Sequence, residues 1–199
     1  MAILSALAGL TVGSLSPVKA NALTAGGNQI TDLLTSARQN SISRHAFTAV
    51  LIKSTGDARF SAHCLFELTR NDNGTAAAWK MLVPWRLLPE GVRFDPDAVT
   101  APAANFALAS NNPHPPSALP SVQFRGQAVN LASDVAYQIF APDGTLTRGE
   151  PVRLRLVEAA ENLAGPGIIY TGRRITGQPA NYYDIFILRD TGQTKVERL

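Results

Sequence analysis

Residues Met1–Ala20 read MAILSALAGLTVGSLSPVKA, and their identity governs what the rest of the chain can be. No charge occurs from Met1 to Pro17; the first is Lys19. Three readings are open. A secretory signal has a positive n-region, an apolar core and a small-x-small cleavage site. Ala20-Asn21-Ala22 supplies the last of these, but no Lys or Arg precedes the apolar core. A membrane-spanning helix needs about 20 apolar residues, and Met1–Ser16 falls short by several. A buried core helix is the third reading, and it leaves unexplained why a uniform apolar segment passes directly into one with a polar face.

Working outward, Lys19 to Arg44 carries one greasy stripe. Leu23, Ile30, Leu34, Ala37 and Ser41 fall at helical spacing, and Leu33 and Ile42 widen the face. Asn28, Asp32, Ser36, Gln39 and Ser43 occupy the other side. Gly26-Gly27 weakens the helix by about 1 kcal/mol per glycine, which predicts a bend there. The stripe runs straight across the would-be cleavage site. Residues 1–44 therefore read as one N-terminal helix, apolar over 1–16 and amphipathic over 19–44.

After His45 the pattern becomes β. Strands are predicted over Phe47–Lys53, Phe60–Thr69, Ala76–Trp85 (ending at Pro84), Ser121–Phe124, Ala136–Ala141, Val152–Glu158, Ile168–Thr171, Tyr182–Arg189 and Thr194–Leu199. Asn71-Asp-Asn-Gly74 is a hairpin turn, because Asn-Gly accepts the positive φ that a tight turn needs, and Asp143-Gly144 is another. Pro89 to Pro120 reads as loop, with Pro113-His-Pro-Pro116 at its centre and a short helix over Ala101–Ser110. No internal repeat and no interdomain linker is visible. The predicted fold is α+β: a long N-terminal helix over 1–44 packed on an antiparallel β-sheet head over 45–199.

Composition suits that head. With 199 residues, 45% hydrophobic, 17% charged, 15 Gly and 13 Pro, the chain can bury a real core and makes many turns. The net charge of +3 falls well short of a dedicated nucleic-acid binder's dense basic patch. Cys64 is the one cysteine, so no intramolecular disulfide forms. Its apolar run, Ala62-His63-Cys64-Leu65-Phe66, predicts a buried, inert thiol.

Chemistry is sparse. His45, His63 and His114 share no metal-ligand spacing, and His63 reads as a side chain on a sheet. There is no Gly-x-Ser-x-Gly elbow and no phosphate-binding glycine loop. Asp95-Pro-Asp97 and the Glu158/Glu161 pair read as solvated surface, because neither sits in apolar surroundings that would tune a catalytic acid. Arg173-Arg174, in a glycine-flanked loop, is the most basic spot; with Arg189, Lys195 and Arg198 it makes a candidate anion or nucleic-acid patch. No enzyme, metal or cofactor is indicated.

An apolar helix continued by an amphipathic half and then a β-rich head resembles the type IV pilin-like family, specifically the minor pilins and type II secretion pseudopilins of the GspH/FimT class. The resembling residues are 1–10, Asn28-Gln-Ile-Thr-Asp-Leu-Leu-Thr-Ser-Ala-Arg-Gln-Asn-Ser41, Leu88–Phe94, Ile139–Gly144 and Ile185–Val196. A narrower resemblance is to the prepilin-like Verru_Chthon cassette protein D. The family begins with a basic leader, a glycine cleavage site and a Glu-containing apolar start; Met1 corresponds to a point inside that helix, so residues in front of Met1 are expected. The resemblance implies that Ala2, Ile3, Leu4, Leu7, Leu10, Val12 and Leu15 face lipid or a filament core, with Ala6, Ala8, Gly9 and Gly13 allowing close helix approach. It implies that Leu23, Ile30, Leu33, Leu34, Ala37 and Ile42 pack on the head. The expected function is a non-enzymatic pilus or pseudopilus subunit, single-pass in the bacterial inner membrane with its head outside the cytoplasm. Its expected partners are other pilin-like subunits. The rivals are a DNA-uptake minor pilin using Arg173, Arg174, Lys195 and Arg198, and an exported ligand-binding β-domain with a cleaved signal.

Overall fold

Two antiparallel sheets share one helix as the cover of their common core. The computed structural model describes residues 2–70, 76–96, 122–130, 134–147, 152–165, 167–172, 174–175 and 178–198, with the side chains of the helix described from Asn21. Helix α1 spans Ala2–Arg44 and passes unbroken through Gly26-Gly27, where a bend is predicted. It ends in a cap: His45 takes a positive φ of 50°, its N–H donates to Ile42 O, and Ala46 N–H donates to Ser41 O. That is a Schellman pattern with His in the left-handed position that glycine usually fills.

Strands β1 (Thr48–Lys53), β2 (Ala62–Arg70), β3 (Ala76–Leu87) and β7 (Val135–Phe140) form a four-stranded sheet in the order β3-β2-β1-β7. Leu51 at its centre pairs with Cys64 on one side and Tyr137 on the other. Strands β4 (Val92–Phe94), β8 (Val152–Glu161), β12 (Tyr182–Ile187) and β13 (Thr194–Arg198) form the second sheet in the order β13-β12-β8-β4, with β9 (Ile168–Tyr170) extending β8's pairing. Ile185 pairs with Leu154 and Val196 there. Two short hairpins are also present among the described residues: β5 (Val122–Phe124) with β6 (Gln127–Val129), and β10 (Arg174–Ile175) with β11 (Gln178–Pro179).

All six residues of β1 are buried, because the sheet is covered on both faces. Val50 and Ile52 face the first core with Leu34 and Leu154, while Ala49 and Leu51 face a second core with Phe66 and Phe124. The β5–β6 hairpin therefore belongs to the cover of the face opposite α1. Strand β3 continues past Pro84 to Leu87, two residues beyond the predicted end at Trp85. As the sheet's outermost strand it tolerates a residue that cannot donate to the ladder. Strand β4 lies in what the sequence presents as loop; its alternating Val92 and Phe94 are buried against β8. The predicted Asn71–Gly74 turn and Ala101–Ser110 helix lie outside the described residues.

Candidate functional site

α1 and the second sheet meet along a seam that combines buried apolar packing with polar bonds. Leu23, Ile30, Leu33, Leu34 and Ala37 are buried along one face of the helix and join the first core with Leu154, Leu156, Tyr183 and Ile185. The two glycines permit this approach. A Cβ on Gly27 would lie 2.5 Å from Tyr183 Cε2 and closer still to Cε1 and Cζ, whereas one on Gly26 would meet Val92 Cγ1 at 3.2 Å. Polar bonds then fix the depth of docking. The Tyr183 hydroxyl donates to Asn28 Oδ1 at 3.2 Å, Arg198 Nη2 donates to Thr24 Oγ1 at 2.9 Å, and Thr48 Oγ1 donates to Ala37 O at 2.8 Å. The guanidinium of Arg198 also lies 5.8 Å from the Tyr183 ring centroid.

The C-terminal end of the packed helix meets two turns. Arg38 Nε donates to Thr191 O at 2.5 Å. A Cβ on Gly192 would overlap the carbonyl oxygen of Gly144, so the Asp143-Gly144 turn and the β12–β13 turn touch through backbone. Asp143 Oδ1 accepts from the N–H and hydroxyl of Thr145, which holds its carboxyl below the usual carboxylate range. Ile42 is 37% exposed and lies over Gly144.

Of the candidates Arg173, Arg174, Lys195 and Arg198, only the last two have described side chains, and these two do not lie together. Arg173 lies outside the described residues, as does the side chain of Arg174, whose backbone belongs to β10. Alternation along β13 sends Lys195 and Arg198 to opposite faces: Lys195 ion-pairs with Glu197 at 2.9 Å, and Arg198, itself exposed, reaches across to Thr24 and Tyr183. The backbone of Ala2, Ile3, Leu4, Leu7, Leu10, Val12 and Leu15 lies within α1. Among the described residues, no helix is long and apolar enough to cross a membrane.

Among the described residues, reactive chemistry is muted. Cys64 is fully buried, and burial pushes its thiol well above the ordinary range. His63 is 1% exposed; Gln29 Nε2 donates to its Nε2 at 3.1 Å, so Nδ1 carries the hydrogen given to Ser61 O at 3.2 Å. Burial lowers its pKa from 6.5 to about 4. It sits at the floor of a crevice of about 170 Å³ between α1 and β3, rimmed by Asp32, Ser36 and Arg86. Among the described residues, no group of three His, Cys, Asp or Glu side chains could hold a metal. Asp95, expected at the solvated surface, is instead 4% exposed and accepts from Tyr170 Oη at 3.0 Å. Its burial follows from β4 docking on β8: Asp95 N–H donates to Arg155 O directly after the last β4 pair. Glu158 accepts from Asn181 at 3.3 Å, and Glu161 lies 3.8 Å from Arg59 Nε.

Two features have no local signature. The Gly27–Tyr183 contact joins residues far apart in sequence; the only trace is a glycine pair inside an otherwise helical stripe. The bidentate pair of Arg155 with Asp184, at 2.7 and 2.8 Å, depends on the β8–β12 register, which no sequence pattern states. It holds the Arg155 guanidinium even more firmly protonated than usual.

No family model matches the chain, and no curated protein matches it in sequence. Solved structures do. The minor pseudopilin EpsH from the type 2 secretion system of Vibrio cholerae aligns at 12% identity over 88% of this chain and 96% of its own, with a TM-score of 0.44. A second structure of the same pseudopilin aligns at 14% identity over 89% and 96%, with a TM-score of 0.41. The type IV minor pilin FimU of Pseudomonas aeruginosa aligns at 12% identity over 89% of both chains, with a TM-score of 0.43.

Proposed function

We propose that the chain is a non-enzymatic minor pilin or pseudopilin subunit. It is held in the bacterial inner membrane through the first half of α1, with its β head outside the cytoplasm, and assembles with other pilin-like subunits into a filament. One observation carries the reading. A single helix of 43 residues uses the half from Leu23 onward to cover the sheets, while the sequence of the half before it is uncharged as far as Pro17. At 1.5 Å per residue the helix is about 65 Å long, far more than the head needs as a lid. A helix apolar all round is stable in lipid or among other helices, and Ala6, Ala8, Gly9 and Gly13 let neighbours pack closely. The polar seam bonds from Asn28, Thr24 and Arg38 suit a rigid helix–head unit that passes position from helix to head.

The test is fractionation of the full chain expressed in a Gram-negative host, with intact-mass measurement and chemical cross-linking beside co-expressed pilin-like subunits from the same genome. Retention in alkali-washed membranes, with residues 1–22 present and cross-links to those subunits, is expected. A soluble product beginning at Leu23 would replace this reading with an exported β-domain. A membrane-bound chain that cross-links to no pilin-like subunit would refute assembly.

A further inference from the structure

The pairings of both sheets locate the end of the head from which the apolar half of α1 departs. Thr48 donates to Ala37 O, and Ile52 pairs with His63, which is bonded to Gln29. Four strand residues rise about 13 Å and eight helical residues about 12 Å. Strand β1 therefore runs antiparallel along α1, and the loop after Lys53 lies beyond Gln29. The second sheet runs the same way. Leu156 pairs with Tyr183, which lies against Gly27, and Glu158 pairs with Val92, which lies against Gly26. Ala160 is about 13 Å past Leu156, a rise of about nine helical residues, which sets it level with the backbone of Val18 and Lys19. The uncharged start of the helix ends there, at Pro17.

At that end a loop of each sheet is tied to the other. Arg59 Nη2 donates to Asn162 O and, at 2.6 Å, to Gly165 O. Asn162 Oδ1 in turn accepts from Ala164 N–H at 3.1 Å. Arg59 stands between Ala58 and Phe60, both left-handed at φ 55°, a conformation that non-glycine residues hold only where their surroundings impose it. The β8–β9 loop so fixed presents Leu163, which at 91% is the most exposed large apolar side chain among the described residues. Ile169, paired with Ala160, is 53% exposed. No charge occurs from Asn162 to Gly172, and the first after it are Arg173 and Arg174; Lys19 follows the uncharged start of α1 in the same order. One leucine on a tight turn offers far too little area for a stable protein interface. A lipid interface takes such an apolar knob, and cations next to it are favoured by anionic lipids.

We infer that the β8–β9 loop seats the head on the lipid surface, with Leu163 inserted at the boundary of headgroups and acyl chains. The inference rests on the membrane reading of α1, and that helix supplies the tether that makes one weak contact sufficient. The test uses the full chain in vesicles of phosphatidylethanolamine and phosphatidylglycerol. An environment-sensitive fluorophore on Ala164→Cys leaves Leu163 in place; a second chain carries it on Gln193→Cys, exposed at the opposite end of the head beside Gly192 and Arg38. Cys64 is fully buried and does not compete for the label. Shallow nitroxide lipids are expected to quench the label at 164 and not that at 193, and iodide to reach the label at 193 more than that at 164. Leu163→Ser is expected to shift the docked-to-free ratio roughly tenfold toward free, with an unchanged urea midpoint in detergent because the side chain is exposed. Equal lipid quenching at the two positions, or quenching that survives Leu163→Ser, would overturn the assignment. Protection from iodide without lipid quenching would show that protein covers the loop, and would overturn it too. A chain washed from the vesicles by alkali would end the membrane reading and this inference together, whereas a retained chain with an unquenched label at 164 would end the inference alone.

Discussion

Gly26 and Gly27 are neighbours in one helix, yet alanine at the two positions is expected to act with opposite sign. Intrinsic propensity favours both substitutions by about 1 kcal/mol. At Gly26 the new Cβ meets Val92 Cγ1 at 3.2 Å, Pro89 Cδ at 3.4 Å and Leu88 Cδ2 at 3.6 Å. A shift of a few tenths of an ångström relieves this, so Gly26→Ala is expected to be neutral or stabilising by up to about 1 kcal/mol. At Gly27 the Cβ would sit against the face of the Tyr183 ring, 2.5 Å from Cε2, about 1 Å inside tolerable contact. That ring is 4% exposed, tethered to Asn28 and flanked by Arg198, so it has nowhere to swing. Either the helix lifts off the sheet or the Tyr183–Asn28 bond breaks. Overpacking of this kind is destabilising by about 1–3 kcal/mol, and the lost hydrogen bond by about 1 more. After the propensity gain, Gly27→Ala should lose about 1–3 kcal/mol, or about 2–4 °C in Tm per kcal/mol for a chain of this length. Thermal unfolding of the full chain, followed by the loss of near-ultraviolet dichroism, compares the two variants directly. Tyr183→Leu in the Gly27→Ala background should recover part of the loss. If Gly27→Ala is as stable as Gly26→Ala, the close approach is not what holds the helix.

His63 makes stability depend on pH. Its folded pKa of about 4 lies below the ordinary 6.5, so the unfolded chain binds the proton first and stability falls as pH drops from about 6.5 toward 4. Between pH 7 and pH 5 the loss should be about 2 kcal/mol, read as a fall in the urea midpoint that His63→Gln does not show; equal falls in both would refute it. Asp184→Asn should destabilise by about 2–3 kcal/mol in the same assay, since it leaves a mostly buried Arg155 guanidinium without its carboxylate. Arg155→Met with Asp184→Leu should recover most of that, and no recovery would show that the pair itself, rather than its isolated charge, matters. Thr48→Val should lose about 1 kcal/mol through the buried bond to Ala37 O, again as a lowered urea midpoint.

What the chain determines locally is its periodicity. Leu23, Ile30, Leu34, Ala37 and Ser41 recur at helical spacing and are buried, because residues three and four apart share a helix face whatever surrounds them. Short apolar runs such as Thr48–Lys53 and Val135–Phe140 mark strands covered on both faces, and Cys64, in the run Ala62–Phe66, is buried. Positions whose meaning depends on a distant partner carry no such mark. Asp95 looks like a solvated turn until β4 lays it beside Arg155 O and Tyr170. Pro84 looks like a strand's end until the strand proves to be the sheet's edge and bulged. Lys195 and Arg198 look like one basic cluster until alternation along β13 parts them. Gly27 looks like a weak point until Tyr183 arrives to fill the space. Spacing along the chain dictates which face a side chain takes, whereas register and docking depth are settled only when two sheets and one helix exclude water from the same volume.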